Sequence, residues 1–372
     1  MSARHQVAVL GGGFIGQAHI IALRQVPSVD IALLVDHRGD NAQRKAAFWG
    51  IPQASADWQD ALSDHRIDAV HICLPNHLHA EVLEACLRAG KAVFAEKPLT
   101  MTLEEAERLS HALAALPNLP LVDVNFNYRH YPMVGEMRRL IAEGAIGRPF
   151  LAIGRYLQDW MLTAPDDPGW RAEPGRGGPS RALWDIGSHV LDLSEFALGE
   201  PIVRVEARAG RKASSDGPPR AREDAAGIDD DYTLLWFETA GQASGHALAS
   251  QVNGGHKNDL ALEIAGTDGS LSWLQEHPDT LWLGRPGKAS ETVSREVAPD
   301  FRQGSRAPYP SGHVMGWPDA LRLAVEAFYA ALDGDRAEGA RASLQTGLHM
   351  MAVIDACRAS ALSGSSESVR SV

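Results

Sequence analysis

The chain has 372 residues, more than one ordinary hydrophobic core organises, so two domains are expected. Hydrophobic residues make up 45% and charged residues 22%, as in soluble globular proteins. A net charge of −12 and a pI near 5.7 argue against nucleic acid or an anionic membrane as the main partner. Cys73, Cys86 and Cys357 have neither metal nor disulfide spacing, so a reduced, cytoplasmic setting is expected. No apolar run reaches the length of a membrane span, and "MSARHQ" leads into a strand pattern rather than a signal segment.

The first strand candidate is the apolar run Val7 to Leu10, of the kind covered on both faces of a parallel sheet. Gly11, Gly13 and Gly16 follow as G-x-G-x-x-G, and apolar residues then recur at helical spacing from Phe14 to Val26. Gly11 suits a tight turn, Gly13 lets a pyrophosphate approach the backbone, and Gly16 lets helix and strand pack closely. Phe14 and Ile15 open a helix whose N–H groups and partial positive charge attract phosphate. The next strand, "IALLVD", ends at Asp36, 20 residues beyond Gly16, where an acid receives a ribose 2′-hydroxyl. His37 and Arg38 follow. Asp36 repels a 2′-phosphate and Arg38 suits one, so NAD is the expected cofactor and NADP the alternative.

The alternation continues. "IDAVHICLP" reads as a strand, "HAEVLEACLRAG" as a helix stopped by Gly90, and "AVFAEKP" as a strand. Thr102 and Glu105 make a capping box for the helix that precedes the strand "LVDVNFNY". Repeated strand–helix units predict an α/β fold with a doubly wound parallel sheet over residues 1–126. Ligands of such sheets bind beyond the carboxyl ends of the strands. Those ends carry Gly11, Asp36, Leu74-Pro75-Asn76, Glu96-Lys97 and Asn125. Lys97 there can donate to a substrate oxygen and stabilise negative charge. His77 and His79 form H-x-H, but no third ligand stands at a sensible spacing, so no metal is expected.

"LPNHLHAEVLEACLRAGKAVFAEKPL", "FNYRHYP" and "DIGSHVLDL" resemble, in order, landmarks of the family of glucose–fructose oxidoreductase, inositol 2-dehydrogenase and MocA. The resemblance spans nearly the whole chain. It implies a Rossmann domain followed by an α/β domain with a large, mostly antiparallel open sheet, through which members pair. It implies Lys97, Asp185 and His189 around the reacting carbon, His79 beside the nicotinamide, Tyr128 and Arg129 near the substrate, and a cis bond before Pro98.

The second domain is expected over residues 127–362. "FLAIGRYLQ" reads as the first strand of its sheet. A loop rich in Pro, Gly and Asp follows, flanked by Trp160, Trp170 and Trp184, which with Arg171 are candidate carbohydrate contacts, because flat aromatic faces suit sugar C–H surfaces. Helical spacing resumes from Ala182 to Leu198 and sets Asp185, His189 and Asp192 on one face, Asp192 in a structural role. Histidine's ordinary pKa of about 6.5 suits a base for a hydroxyl proton. Five alternating strand candidates predict an antiparallel meander, interrupted by an exposed, mobile loop, "RKASSDGPPRAREDAAGIDDD". His313 resembles a substrate-contacting histidine of sugar-oxidising relatives. Helices are expected over residues 319–333 and 337–361, and a disordered tail over 363–372.

The leading expectation is an NAD(P)-dependent oxidoreductase acting on a secondary hydroxyl of a sugar, glycoside or cyclitol, with pyranose C3 as one target. A glycoside hydrolase using NAD transiently is the second, and a non-catalytic dinucleotide sensor the third. An open antiparallel sheet needs covering, so a homodimer or homotetramer is expected.

Overall fold

The computed structural model describes residues 4–162, 176–212, 222–224, 227–295, 310–335 and 339–372. In chain order the elements are β1 (His5–Leu10), α1 (Phe14–Leu23), β2 (Val29–Val35), α2 (Gly39–Trp49), β3 (Gln53–Ser55), α3 (Gln59–Ser63), β4 (Ala69–Ile72), α4 (His79–Arg88), β5 (Ala92–Ala95), α5 (Leu103–Ala114) and β6 (Val122–Val124). Then come α6 (Pro132–Ala142), β7 (Pro149–Leu157), α7 (Ser188–Leu198), β8 (Ile202–Gly210), β9 (Arg222–Asp224), β10 (Gly227–Asp229), β11 (Tyr232–Thr239) and β12 (Ser244–Ser250). β13 (Asp259–Gly266), β14 (Gly269–Leu274), β15 (Thr280–Gly284), β16 (Glu291–Ser294), α8 (Trp317–Leu332), α9 (Leu344–Ser363) and β17 (Glu367–Ser368) complete the chain. They fall into two compact units, Met1–Asn127 with Trp317–Leu348, and Tyr128–Gly316 with His349–Val372.

The first unit is built on a six-stranded parallel sheet in the order β3-β2-β1-β4-β5-β6. β4 and β5 are buried end to end, and β1 from Val7 to Leu10, as their continuous apolar runs require. The capping box forms: Thr102 Oγ1 accepts from Glu105 N–H at 3.2 Å, and Glu105 Oε2 accepts from Met101 N–H at 2.9 Å. One helix comes from far along the chain. α8 lays Leu321, Val325, Phe328 and Tyr329 into the same core as Val7, Val9, Ile20, Leu23 and Phe94. This corrects the expected boundary, which gave everything from 127 to 362 to the second domain. Helical periodicity marks an apolar face but not the sheet that the face covers.

The second unit holds a nine-stranded sheet in the order β16-β15-β14-β13-β7-β12-β11-β8-β17. All its neighbours are antiparallel except β7 and β12, which run parallel. The expected meander is therefore split, because β7 inserts between β12 and β13. One sheet face is covered by α6 and α7; α7 lies so close that a Cβ on Gly154 would come within 2.6 Å of Val190. Strand alternation turns Ile153, Val203, Leu234 and Trp282 outward, and all four are exposed.

Four further expectations are corrected. The tail is ordered: β17 pairs with β8, Val369 N–H donates to Val203 O at 2.9 Å, and Ser360 Oγ donates to Ser365 O. Its polar composition suits a solvated sheet edge as well as disorder. The helix after residue 181 is not uniform, for Leu183–Gly187 form a π turn before α7. The loop over 211–231 is only partly described, and its end is fixed rather than mobile. Asp230 and Asp231 are buried. Asp230 Oδ1 accepts from Ser180 Oγ and Arg181 N–H, both at 2.6 Å, while Oδ2 accepts from Leu183 N–H at 3.0 Å and Thr233 Oγ1 at 2.7 Å. One carboxylate thus satisfies the open N–H groups at the start of the π turn. The terminal helices begin at Trp317 and Leu344 rather than at 319 and 337.

Removing the Asp230 carboxylate leaves these buried donors without an acceptor. Asp230→Ala is expected to lose about 3 kcal/mol or more of stability in urea denaturation. A loss below about 1 kcal/mol would contradict the role of Asp230 as the anchor of the π turn.

Candidate active site

In the first unit, β1 is followed by Gly11, whose φ of +104° is reached without strain only by glycine. A Cβ there would overlap the Cys73 carbonyl, and one on Gly16 would overlap the Gly11 carbonyl. Gly13 differs, because its Cβ position has nothing within 4 Å. It is the N-cap of α1 and no side chain caps that helix, so the first N–H groups, from Phe14 and Ile15 onward, face open space. Phe14 is exposed and stacks on Trp317, with ring centroids 6.4 Å apart. An open cradle at an uncapped helix N-terminus fits a pyrophosphate.

Asp36 follows β2 and is buried. Lys45 Nζ from α2 donates to Asp36 Oδ2 at 2.9 Å and to Gly12 O at 2.6 Å. Asn41 Nδ2 and Arg38 N–H also donate to Asp36, and His37 lies 3.3 Å from it. Burial works to raise the Asp36 pKa, but the hydrogen bonds from Lys45, Asn41 and Arg38 outweigh it and leave the carboxyl below its ordinary value. The Arg38 side chain is exposed. Lys45 was missed in the sequence because its link to Asp36 depends on how α2 folds back over the glycine turn.

β5 ends at Glu96, and the Lys97–Pro98 bond that follows is cis. The Glu96 carboxylate is buried and internally committed. Oε1 accepts from His19 Nε2 at 3.0 Å and Asn125 Nδ2 at 2.6 Å; Oε2 accepts from Lys97 N–H at 3.2 Å. Burial raises its pKa, but His19, Lys97 and Asn125 overcome this and bring it to about 2. Glu96 thereby holds the Lys97 loop in place. His79 is held likewise. It is buried, with Nδ1 2.8 Å from Pro98 O and Nε2 2.9 Å from Leu74 O, so it ties the Leu74-Pro75-Asn76 turn to the Lys97 loop. Asn125 Oδ1 and His77 Nδ1 are buried and carry no hydrogen bond.

In the second unit, the π turn and α7 present Asp185 and His189. Asp185 Oδ2 accepts from Gln251 Nε2 at 2.8 Å. His189 is buried edge-on against Tyr128, with centroids 4.9 Å apart at 88°. The Tyr128 and Tyr156 hydroxyls are 2.6 Å apart, and Asn258 joins both, donating to Tyr128 OH at 3.1 Å and accepting from Tyr156 OH at 2.7 Å. Burial pushes the Tyr156 hydroxyl above its ordinary pKa. Arg129 Nε and Nη2 donate to Asp192 at 2.8 and 2.6 Å, and the guanidinium lies over Phe196. Burial raises the Asp192 carboxyl to about 6 against the pull of Arg129, so the pair is ionised at neutral pH.

Trp160 is half-buried and donates to Gln158 Oε1 at 3.0 Å. Trp170 and Arg171 lie outside the described residues. Trp184 is packed in the core, and His313 is exposed, with Nδ1 3.3 Å from Pro310 O. Among the described residues no three His, Cys, Asp or Glu side chains gather to hold a metal ion, and no helix is long and apolar enough to cross a membrane.

Comparison with known proteins accords with this geometry. Residues 5–124 match an oxidoreductase family model described as an NAD-binding Rossmann fold, and residues 134–272 match the GFO/IDH/MocA C-terminal domain. The chain belongs to the Gfo/Idh/MocA family. It is 31% identical over 331 residues to a levoglucosan dehydrogenase of Pseudarthrobacter phenanthrenivorans, covering 84% of this chain and 83% of that one. It is 29% identical to a scyllo-inositol 2-dehydrogenase (NAD(+)) of Bacillus subtilis, over 80% of this chain and 81% of that one. A solved levoglucosan dehydrogenase in complex with NADH and levoglucosan superposes with a TM-score of 0.86 at 29% identity, covering 98% of this chain and 99% of that chain. As a family member the protein is an oxidoreductase with an NAD-binding Rossmann domain.

The open space at Gly13 makes a clean test of the cradle. Gly13→Val is expected to leave the melting temperature unchanged and to weaken NAD binding about a hundredfold or more in calorimetry, by filling the phosphate position. Unaltered affinity would contradict this reading.

Proposed function

We propose that the protein is an NAD-dependent dehydrogenase that removes hydride from the carbon bearing a secondary hydroxyl of a sugar, glycoside, anhydrosugar or cyclitol, with pyranose C3 as a target. The observation that carries the reading is a lysine, Lys97, set by a buried carboxylate at the end of β5, in a unit with an open helix N-terminus at Gly13. The names of the relatives support the substrate class.

In this reading the helix N-terminus of α1 holds the pyrophosphate, Asp36 takes the adenosine ribose, and Leu74, Pro75, Asn76 and Asn125 border the nicotinamide. The bound nicotinamide supplies the hydride acceptor. Lys97 donates to the reacting oxygen and stabilises its negative charge. Asp185, oriented by Gln251, binds a substrate hydroxyl and holds His189 in its useful protonation state. The hydroxyl proton passes to a base drawn from Lys97 and His189. Tyr128 and Trp160 supply apolar faces to the sugar, and His313, Trp170 and Arg171 complete its surroundings.

The reading is tested by incubating the protein with NAD and a panel of hexoses, glycosides, anhydrosugars and inositols, following NADH absorbance and separating the products. NADH and a keto product are expected in equal amounts, and Lys97→Ala is expected to abolish both while still binding NAD. Glycoside cleavage without net NADH would instead make the protein a hydrolase that uses NAD transiently. NAD is expected to bind more tightly than NADP in fluorescence titration. The reverse order would show that Lys45 and Arg38 outweigh Asp36.

A second copy of this chain covers the exposed sheet face bearing Ile153, Val203, Leu234 and Trp282, giving a homodimer or homotetramer. Sedimentation velocity is expected to report an oligomer that Trp282→Glu weakens. A monomeric wild type would remove this part of the proposal.

A further inference from the structure

Behind Glu96, the first unit holds a line of buried polar side chains that the proposed chemistry does not use. His19 comes from α1, His71 from β4 and Tyr329 from α8, and all three are buried. His19 Nε2 lies 3.0 Å from Glu96 Oε1, His19 Nδ1 lies 2.9 Å from His71 Nδ1, and His71 Nε2 lies 2.9 Å from Tyr329 OH. Phe94 packs against both imidazoles, with centroids 5.6 and 5.1 Å away. A histidine pair sealed by a phenylalanine is costly unless its hydrogen bonds are satisfied.

The chain of contacts has one arrangement in which every group except Glu96 is neutral. A carboxylate accepts only, so His19 carries its proton on Nε2. A neutral His19 then accepts at Nδ1, and the facing atom, His71 Nδ1, must donate. His71 Nε2 is left as an acceptor, and Tyr329 O–H donates to it. Every hydrogen bond points toward Glu96. Burial holds the His71 pKa well below its ordinary value, which keeps that ring neutral. The other titratable groups around the line are Lys97, His79 and the Cys73 thiol near Glu96, and Asp68 and His5 near Tyr329.

We propose that His19 and His71 are positioning residues for Lys97. The one-way line from Tyr329 fixes Glu96 as an ionised carboxylate in a single orientation, and Glu96 fixes the backbone of the lysine beside it. The proposal rests on the reading of Lys97 as the residue that meets the substrate.

Two measurements test it. In long-range proton–nitrogen NMR of the histidine rings in the full chain, the protons are expected on His19 Nε2 and His71 Nδ1 at neutral pH. A proton on His71 Nε2 would reverse the line and overturn the proposal, whatever the enzyme turns over. In kinetics, His19→Leu is expected to lower kcat roughly ten- to a hundredfold with unchanged NAD affinity. His19→Gln, with both a donor and an acceptor, is expected to restore most of the rate. A lowered melting temperature with no rescue of the rate by His19→Gln would make His19 structural only and would overturn the proposal. If no sugar or cyclitol is oxidised, the function proposed above fails, while the NMR result still decides the arrangement of the line.

Discussion

A carboxylate buried under a parallel sheet is the constraint on which the nucleotide-binding unit turns. Taking an ion of that size out of water is so costly that it survives only with donors on every side. Glu96 has them: an imidazole from α1, an amide from beyond β6 and the backbone N–H of Lys97. Each donor pins an element. The helix that opens onto the phosphate cradle, the strand end that carries the lysine and the strand beside it are thereby held in register. α8, which reaches the unit from the far end of the chain, closes the line through Tyr329.

The second unit solves a similar problem at Asp230. A π turn shifts the register of side chains relative to a regular helix and leaves N–H groups unpaired at its start. Asp230 takes up two of them, and Asp231 pairs with Arg181 nearby. The turn so anchored carries Asp185, and His189 follows on α7. Beneath them the two tyrosine hydroxyls and Asn258 form a closed polar group, and Arg129 with Asp192 forms another. These buried networks leave little freedom in the side chains that the proposed chemistry requires.

What was legible in the sequence was local. The glycine turn, the acid at the end of β2, the alternation of strand and helix and the EKP motif all lie within a few residues of the features they determine. What was not legible depends on distant pairings. Tyr329 meets His71 across 258 residues, and Arg341 meets Asp123 across 218, so the helix α8 could not be assigned to the first sheet from periodicity. The tail was misjudged because serine and glutamate suit both a solvated edge strand and a disordered end. The contacts of Arg129 with Asp192 and of His79 with two carbonyls likewise depend on packing that their local motifs do not show. His19 and His71 did leave a trace: each is a polar residue inside an otherwise apolar buried run, which demands a partner.

The account rests most heavily on the charge of Glu96. A carbon-13 NMR titration of its carboxyl, assigned with Glu96→Gln, measures that charge directly. The account predicts a resonance that stays at the ionised position through the neutral range and into acid, consistent with a pKa near 2. A carboxyl that titrates near neutrality would show that burial prevails over the imidazole and amide donors, and would contradict the account.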